Sequence, residues 1–189
     1  MKALITGGSK GIGLAIKKAP EKEGIECISW SRKEGKDLFK CRYTLPDIDI
    51  LINNVGGGGT WSHEDEQMEM NYGNMVDYTK QFLEQKHRFG RVITIASIYG
   101  KEKGHNPGFT ASKAAQIAYM KCLAGNHKGI TFNTICPGHI DVGKKFPDKV
   151  ISLGKPEDIA NLVVFLCSDN ANHINGACIV VDGGESHSF

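Results

Sequence analysis

The chain has 189 residues, 40% of them hydrophobic, and a formal net charge of +2, a size and balance that lead us to expect one core and a single domain over 1–189. Its lysines and arginines are scattered among acids and form no basic blocks interleaved with aromatics, which excludes the usual signature of a nucleic-acid or membrane-surface binder. No apolar stretch reaches the roughly 18 residues of a membrane helix, and the first glycine turn, at residue 6, leaves a signal peptide no room, so a cytoplasmic protein is expected.

The apolar run Lys2 to Ile5 enters TGGSKGIG at residues 6 to 13 and then Leu14-Ala15-Ile16, so the glycines fall where a buried strand becomes a helix. Unpaired amides and the helix dipole make that junction a phosphate site. The helix is predicted from about Gly11 to Ala19, ending or kinking at Pro20, because proline cannot donate to the ladder. A second strand follows over Glu26 to Ser31. Ser31 and Arg32 stand where a dinucleotide fold receives the adenosine ribose, and Arg32 with Lys10 would pair with a 2′-phosphate. NADP is therefore expected ahead of NAD, which stays admissible, as does a plain pair of surface cations.

Too few residues separate Ser31 from Ile48 for two complete crossovers and a strand. The region reads as cut down, with Asp37-Leu38-Phe39 as a stub of edge strand and Asp37 against the adenine. A central strand over Ile48 to Ile52 leads into Asn53-Asn54-Val55-Gly56, a polar and glycine-rich wall at a strand's carboxyl end. Cap-like residues Ser62 to Glu66 then open a long helix through about Gln85, whose Met68, Tyr72, Met75, Val76, Thr79, Phe82 and Leu83 keep helical spacing.

Further strands are predicted over Arg91 to Ser97, Gly129 to Cys136 and Ala177 to Val181, with helices opening near Phe109 and at Gly154-Lys155-Pro156. This alternation implies an α/β, doubly wound parallel sheet of Rossmann type with helices on both faces. The six cysteines lack metal-ligand spacing and read as reduced core residues, and no metal is expected.

TGGSKGIG, NNVG, Asn71, Ser97, the ASK of 111 to 113, the PG at 137 and 138, GKPEDIA and the terminal VVDGG occur in the order of the short-chain dehydrogenase/reductase family, which the chain resembles over nearly its whole length. The resemblance implies nicotinamide-dependent interconversion of carbonyls and alcohols, in homodimers or homotetramers. It places the cofactor against Gly7, Ser9, Lys10, Gly11, Ile12, Gly13, Ser31, Arg32, Asp37, Asn53, Gly56, Lys113, Pro137 and Gly138.

The same resemblance makes Asn71, Ser97, Phe109 and Lys113 the counterparts of the family's Asn-Ser-Tyr-Lys catalytic set. Phe109 stands where the family has its proton-donating tyrosine, and it has no proton to give. Tyr99 and His105 are nearby candidates for a replacement acid. Val142 stands where a threonine would touch the nicotinamide end, and the stretch between Gly138 and Gly154 is shorter than the family's substrate-covering segment. Three readings stay open at this level: an NADP-preferring reductase that is slow or uses another proton donor, a dinucleotide-binding sensor or partner subunit without turnover, and a scaffold that binds no nucleotide.

Overall fold

The structure is a computed structural model and describes residues 1–58, 63–86, 89–143 and 153–187. Six parallel strands form one sheet, in the order β2-β1-β3-β4-β5-β6: β1 (Lys2–Thr6), β2 (Glu26–Trp30), β3 (Ile50–Asn53), β4 (Gly90–Ile95), β5 (Ile130–Pro137) and β6 (Cys178–Val181). Strand residues alternate between two cores. Ala3, Ile5, Ile50, Ile52, Ile93 and Ile95 face α1 (Gly11–Lys22) and α5 (Pro156–Cys167), packing on Ala15, Ile16, Ile159 and Val163. Leu4, Leu51, Val92 and Phe132 face the other way, onto Met75, Tyr78 and Phe82 of α3 (Asn74–Glu84) and Met120 of α4 (Pro107–Leu123). This is the doubly wound arrangement, with the order reversing between β1 and β3, where such sheets open a ligand crevice.

Several boundaries differ from the sequence reading. α1 runs through Pro20 to Lys22. Proline forgoes only one ladder bond so close to the end. Its own carbonyl accepts from the amides of Glu23 and Ile25, which closes the final turn.

Asp37-Leu38-Phe39 is a turn and no strand. The amides of Lys40 and Cys41 donate to the Asp37 carbonyl, that of Phe39 donates to the Asp37 carboxylate at 3.1 Å, and Leu38 drops into the core. β2 is thus the outermost strand on its side of the sheet. Its flank is covered by Leu38, Tyr43, Leu45 and Ile48, which pack with Trp30.

The long helix is broken into α2 (Glu64–Met68), a π-helical turn (Glu69–Gly73) and α3. The inserted residue rotates the buried stripe, so Met75, Thr79 and Phe82 are buried as expected while Gln67, Met70, Asn71, Asn74 and Tyr78 join them. Ser62 lies outside the described residues. His63 caps α2 with no side-chain bond, and Glu64, Asp65 and Glu66 complement the dipole in its place.

α4 opens two residues before Phe109, with Asn106 as its cap. Of the six cysteines, Cys136 and Cys167 are buried and Cys27 and Cys178 half-buried. Cys41 and Cys122 are exposed, against the expectation of a core position. No helix among the described residues is long and apolar enough to cross a membrane.

A dinucleotide-shaped cleft at the carboxyl ends of the strands

A cleft of about 800 Å³ opens at the carboxyl ends of β1 to β4. Gly7, Ser9, Lys10, Gly11, Ile12 and Gly13 line its floor. Gly13 sits so close to the start of the turn that a Cβ there would overlap the Gly7 carbonyl oxygen and come within 2.6 Å of Asn54 Nδ2. The α1 N-terminus has no side-chain cap and no acid in its first turn, so its leading amides face the cleft open to an anion.

Thr6 and Asn54 lock the floor to the neighbouring wall. The Thr6 hydroxyl accepts from the amides of Asn54 (2.9 Å) and Val55 (3.0 Å), and Asn54 Nδ2 donates to the carbonyls of Thr6 (2.9 Å) and Gly7 (3.3 Å).

At the β2 end the lining is Trp30, Ser31, Arg32, Lys36, Asp37, Leu38, Phe39 and Lys40. The Ser31 hydroxyl donates to the Glu34 carboxylate and accepts from the Lys33 amide, so it is already committed within its own turn. Lys36, which the sequence reading missed, holds its ammonium 4.2 Å from the Tyr43 ring centroid and 5.6 Å from that of Trp30. Nothing in the linear sequence marks Lys36. The Trp30–Tyr43 aromatic pair that positions it is formed by the shortened crossover.

At the other end, Gly56, Gly57, Gly58, Met70, Ile95, Ala96, Phe109, Lys113 and Val142 line the cleft. The π-helical turn presents Asn71 to this wall. Its Oδ1 accepts from the Gly57 amide (2.8 Å), and its Nδ2 donates to the Gly57 carbonyl (3.1 Å) and to Ser112 Oγ (3.0 Å). Asn71 thus pins the glycine wall. Its backbone carbonyl accepts from Gln116 Nε2 at 2.7 Å.

Phe109 and Lys113 are one helical turn apart on α4 and share a face. Lys113 Nζ lies 5.6 Å from the Phe109 ring centroid and donates to the Ile95 carbonyl at 3.0 Å. Val142 folds onto the glycine turn, where a Cβ on Gly11 would meet it at 3.1 Å.

Some predicted site residues lie beside the cleft without lining it. Asn53 turns its amide to Thr79 Oγ1 on α3 (3.2 Å) and Asn54 takes its place in the wall. Strand alternation explains the swap: Asn53 is two residues from Leu51, which faces α3, so it shares that face. Ser97, buried two residues beyond β4, accepts from the Tyr99 amide through its Oγ at 3.2 Å. Pro137 ends β5, and the Gly138 amide donates to the Val181 carbonyl at 3.1 Å. Tyr99 stacks edge-on against His139, His105 is exposed, and neither lines the cleft. The central part of the predicted substrate-covering segment, 144–152, lies outside the described residues, although Ile140 bridges to Gly154 at its base.

Burial pushes the Lys113 ammonium down to about 8, opposed by the neighbouring Cys136 sulfur. The folded state therefore sheds a proton that the unfolded chain keeps until about pH 10.4. Below pH 8 both states are protonated and the burial penalty is present in full. Between pH 8 and 10 the unfolded state binds more protons, so stability rises. Relative to Lys113→Met, the wild type is expected to gain on the order of 2 kcal/mol in urea unfolding between pH 7 and pH 10. A difference that stays constant over that range would show that the ammonium is not desolvated.

A family model described as enoyl-(acyl carrier protein) reductase matches residues 39–186. The acetoacetyl-CoA reductase of Shinella zoogloeoides is 32% identical over 97% of this chain and 97% of its own, and the 3-oxoacyl-(acyl-carrier-protein) reductase of Haemophilus influenzae is 32% identical over 96% of each. Each alignment spans 235 positions against 189 residues here, so these relatives carry stretches this chain lacks. Among solved structures, an NADP-bound candidate 2-deoxy-d-gluconate 3-dehydrogenase from Agrobacterium tumefaciens superposes with a TM-score of 0.85 at 29% identity, covering 97% of this chain and 95% of that one. With this cleft, this strand order and these relatives, the chain belongs to the short-chain dehydrogenase/reductase family of oxidoreductases.

Proposed function

We propose that residues 1–189 act as one dinucleotide-binding domain that interconverts a carbonyl and an alcohol with NADP(H), slowly, in the reducing direction on a 3-oxoacyl thioester. The observation that carries this reading is the distribution of charge in the cleft. Arg32 and Lys36 line the β2 end, Lys10 lines the glycine floor beside it, and a buried lysine waits at the β4 end. Those two strands are three spacings apart, roughly 14 Å, a span suited to a dinucleotide lying across the sheet.

The fit to the cofactor rests on the glycine floor, which a Cβ would fill, and on the uncapped α1 N-terminus. When bound, the reduced dinucleotide supplies the hydride. The chain's own residues do the rest: α1 amides hold the pyrophosphate, Arg32 and Lys36 counter a 2′-phosphate, Asn71 fixes the glycine wall, and Lys113 places positive charge beside the reacting end. Glu34, held by Ser31, is the one carboxylate of the Arg32–Glu34 turn and works against the 2′-phosphate. Asp37, which lines the same end, opposes it too, and Arg32, Lys36 and Lys40 outnumber the two acids. The thioester substrate is supported by the names of the relatives, whose carbonyl lies one carbon from a thioester. A homodimer or homotetramer is supported by the family.

The test is NADPH oxidation in the presence of acetoacetyl-CoA, with NADPH and NADH binding measured by calorimetry. Turnover on the thioester and a preference for NADPH are expected. Arg32→Ala should weaken NADPH binding about tenfold and leave NADH within twofold, since one charge-assisted contact of about 1.4 kcal/mol is removed. Equal losses for both coenzymes would remove Arg32 from the 2′-phosphate site. Absence of binding by either coenzyme would overturn the proposal, and binding without turnover on any carbonyl would favour a sensor or partner subunit.

A further inference from the structure

Cys136 and Cys178 lie on adjacent parallel strands, and nothing in the cleft uses them. The register pairs Thr134 with Cys178 and Cys136 with Val180. The two cysteines are therefore diagonal neighbours on one face of the sheet. Here the side chains lean together until the sulfurs are 3.3 Å apart. Closing that gap to the roughly 2.05 Å of a disulfide takes a further shift of just over 1 Å.

β6 can supply the shift. It has four half-buried residues and a ladder on one side only, because it ends the sheet. Cys136, in contrast, is fully buried and fixed in the eight-residue β5.

We propose that Cys136 and Cys178 form a reversible thiol–disulfide site that reacts with hydroperoxides, with Cys178 as the attacking sulfur and Cys136 as the resolving one. Cys178 is half-buried and Cys136 fully buried, so Cys178 is the sulfur offered first to a small peroxide. The electrostatics agree with this division. The hydrogen bond from Cys136 and the nearby Lys101 and Lys121 lower the Cys178 thiol against the opposing effect of burial. That same hydrogen bond and burial raise Cys136.

The Cys178 thiolate attacks one peroxide oxygen. An S–O bond forms, the O–O bond breaks, and, with hydrogen peroxide, the departing hydroxide takes up a proton as water. Cys136 then attacks the Cys178 sulfur. The S–S bond forms, the S–O bond breaks, and the Cys136 proton leaves with a second water. Two thiols lose two electrons and one peroxide gains them. The site lies near the cleft, since Cys136 immediately precedes Pro137-Gly138 at the carboxyl end of β5.

The experiment treats the reduced full chain with stoichiometric hydrogen peroxide, counts free thiols, and maps linked peptides by mass spectrometry without reduction. It reads a covalent bond, so its outcome is independent of whether the protein turns over a thioester. We expect two of the six thiols to disappear, a peptide joining residues 136 and 178, and full recovery in dithiothreitol. Cys136→Ser should instead accumulate a dimedone-reactive sulfenic acid at Cys178, and Cys178→Ser should leave Cys136 unmodified. Oxidation confined to the exposed Cys41 and Cys122, or stable sulfinic acid at Cys178 in the wild type, would overturn the proposal.

Discussion

Replacing Phe109 with tyrosine is expected to raise the rate of carbonyl reduction about a hundredfold, with NADPH affinity changed by less than twofold. A positioned general acid contributes roughly 10²- to 10⁴-fold, about 3 to 5 kcal/mol of barrier. The phenyl ring of Phe109 already lines the cleft one helical turn from Lys113. A hydroxyl on that ring would extend into the space that the wild-type side chain leaves without a donor. The adjacent lysine would favour the phenolate and so ease proton release and uptake near neutral pH.

Single-turnover kinetics with acetoacetyl-CoA distinguish the step. A gain in kcat at constant coenzyme affinity shows that the scaffold lacks only its acid. No gain would show that the missing acid is not what limits the rate.

The second large effect belongs to the glycine floor. Gly13→Ala should cost about 3 kcal/mol of stability, lowering the melting temperature by roughly 6–12 °C in a chain of this size, and should weaken NADPH binding by a hundredfold or more. The cause is steric. A Cβ at Gly13 would overlap the carbonyl oxygen of Gly7, and backbone offers no rotamer in which to retreat.

Gly24→Ala is the control, because it has a φ of +77° and nothing within 4 Å of the new methyl. It tests conformational strain without collision, and about 1 kcal/mol with unchanged coenzyme binding is expected. If Gly13→Ala behaves like Gly24→Ala, the close approach of the turn to α1 is not what shapes the floor.

The parts of this molecule legible in the sequence are those written in short-range periodicity. Apolar runs of four to six residues mark the strands, and Gly7, Gly11 and Gly13 mark the floor because a strand precedes them and a helix comes after. Pro156 and its neighbouring acids mark α5. The features that escape depend on contacts across the chain. Pro20 reads as a stop because its missing bond is local, whereas the carbonyl that repairs the turn finds its partners beyond the helix. The edge strand expected at Asp37 to Phe39 has the right composition, but without its crossover it has nothing to pair with across β2, and Asp37 satisfies its own turn.

Asn71 does reach the cleft wall, yet the π-helical turn that aims it is invisible in the sequence. One inserted residue leaves composition unchanged and only rotates the remainder of the helix. Asn53 is correctable from sequence, by counting two residues on from Leu51. Lys36 is not, since its position depends on two aromatic rings 13 residues apart, Trp30 and Tyr43.

Among the described residues no strand lies outside β2, which also bears on how quickly the molecule assembles. A parallel pairing cannot form until its whole crossover has been traversed, so each one adds a search over distant segments to the folding barrier. Pruning at the rim deletes one such search while leaving the central trio β1, β3 and β4 intact, and the short lid of Leu38, Tyr43, Leu45 and Ile48 replaces it with nearby encounters. Coenzyme position and refolding speed thereby meet at the same border, because the segment that shortens the search also carries Tyr43, the ring that holds Lys36.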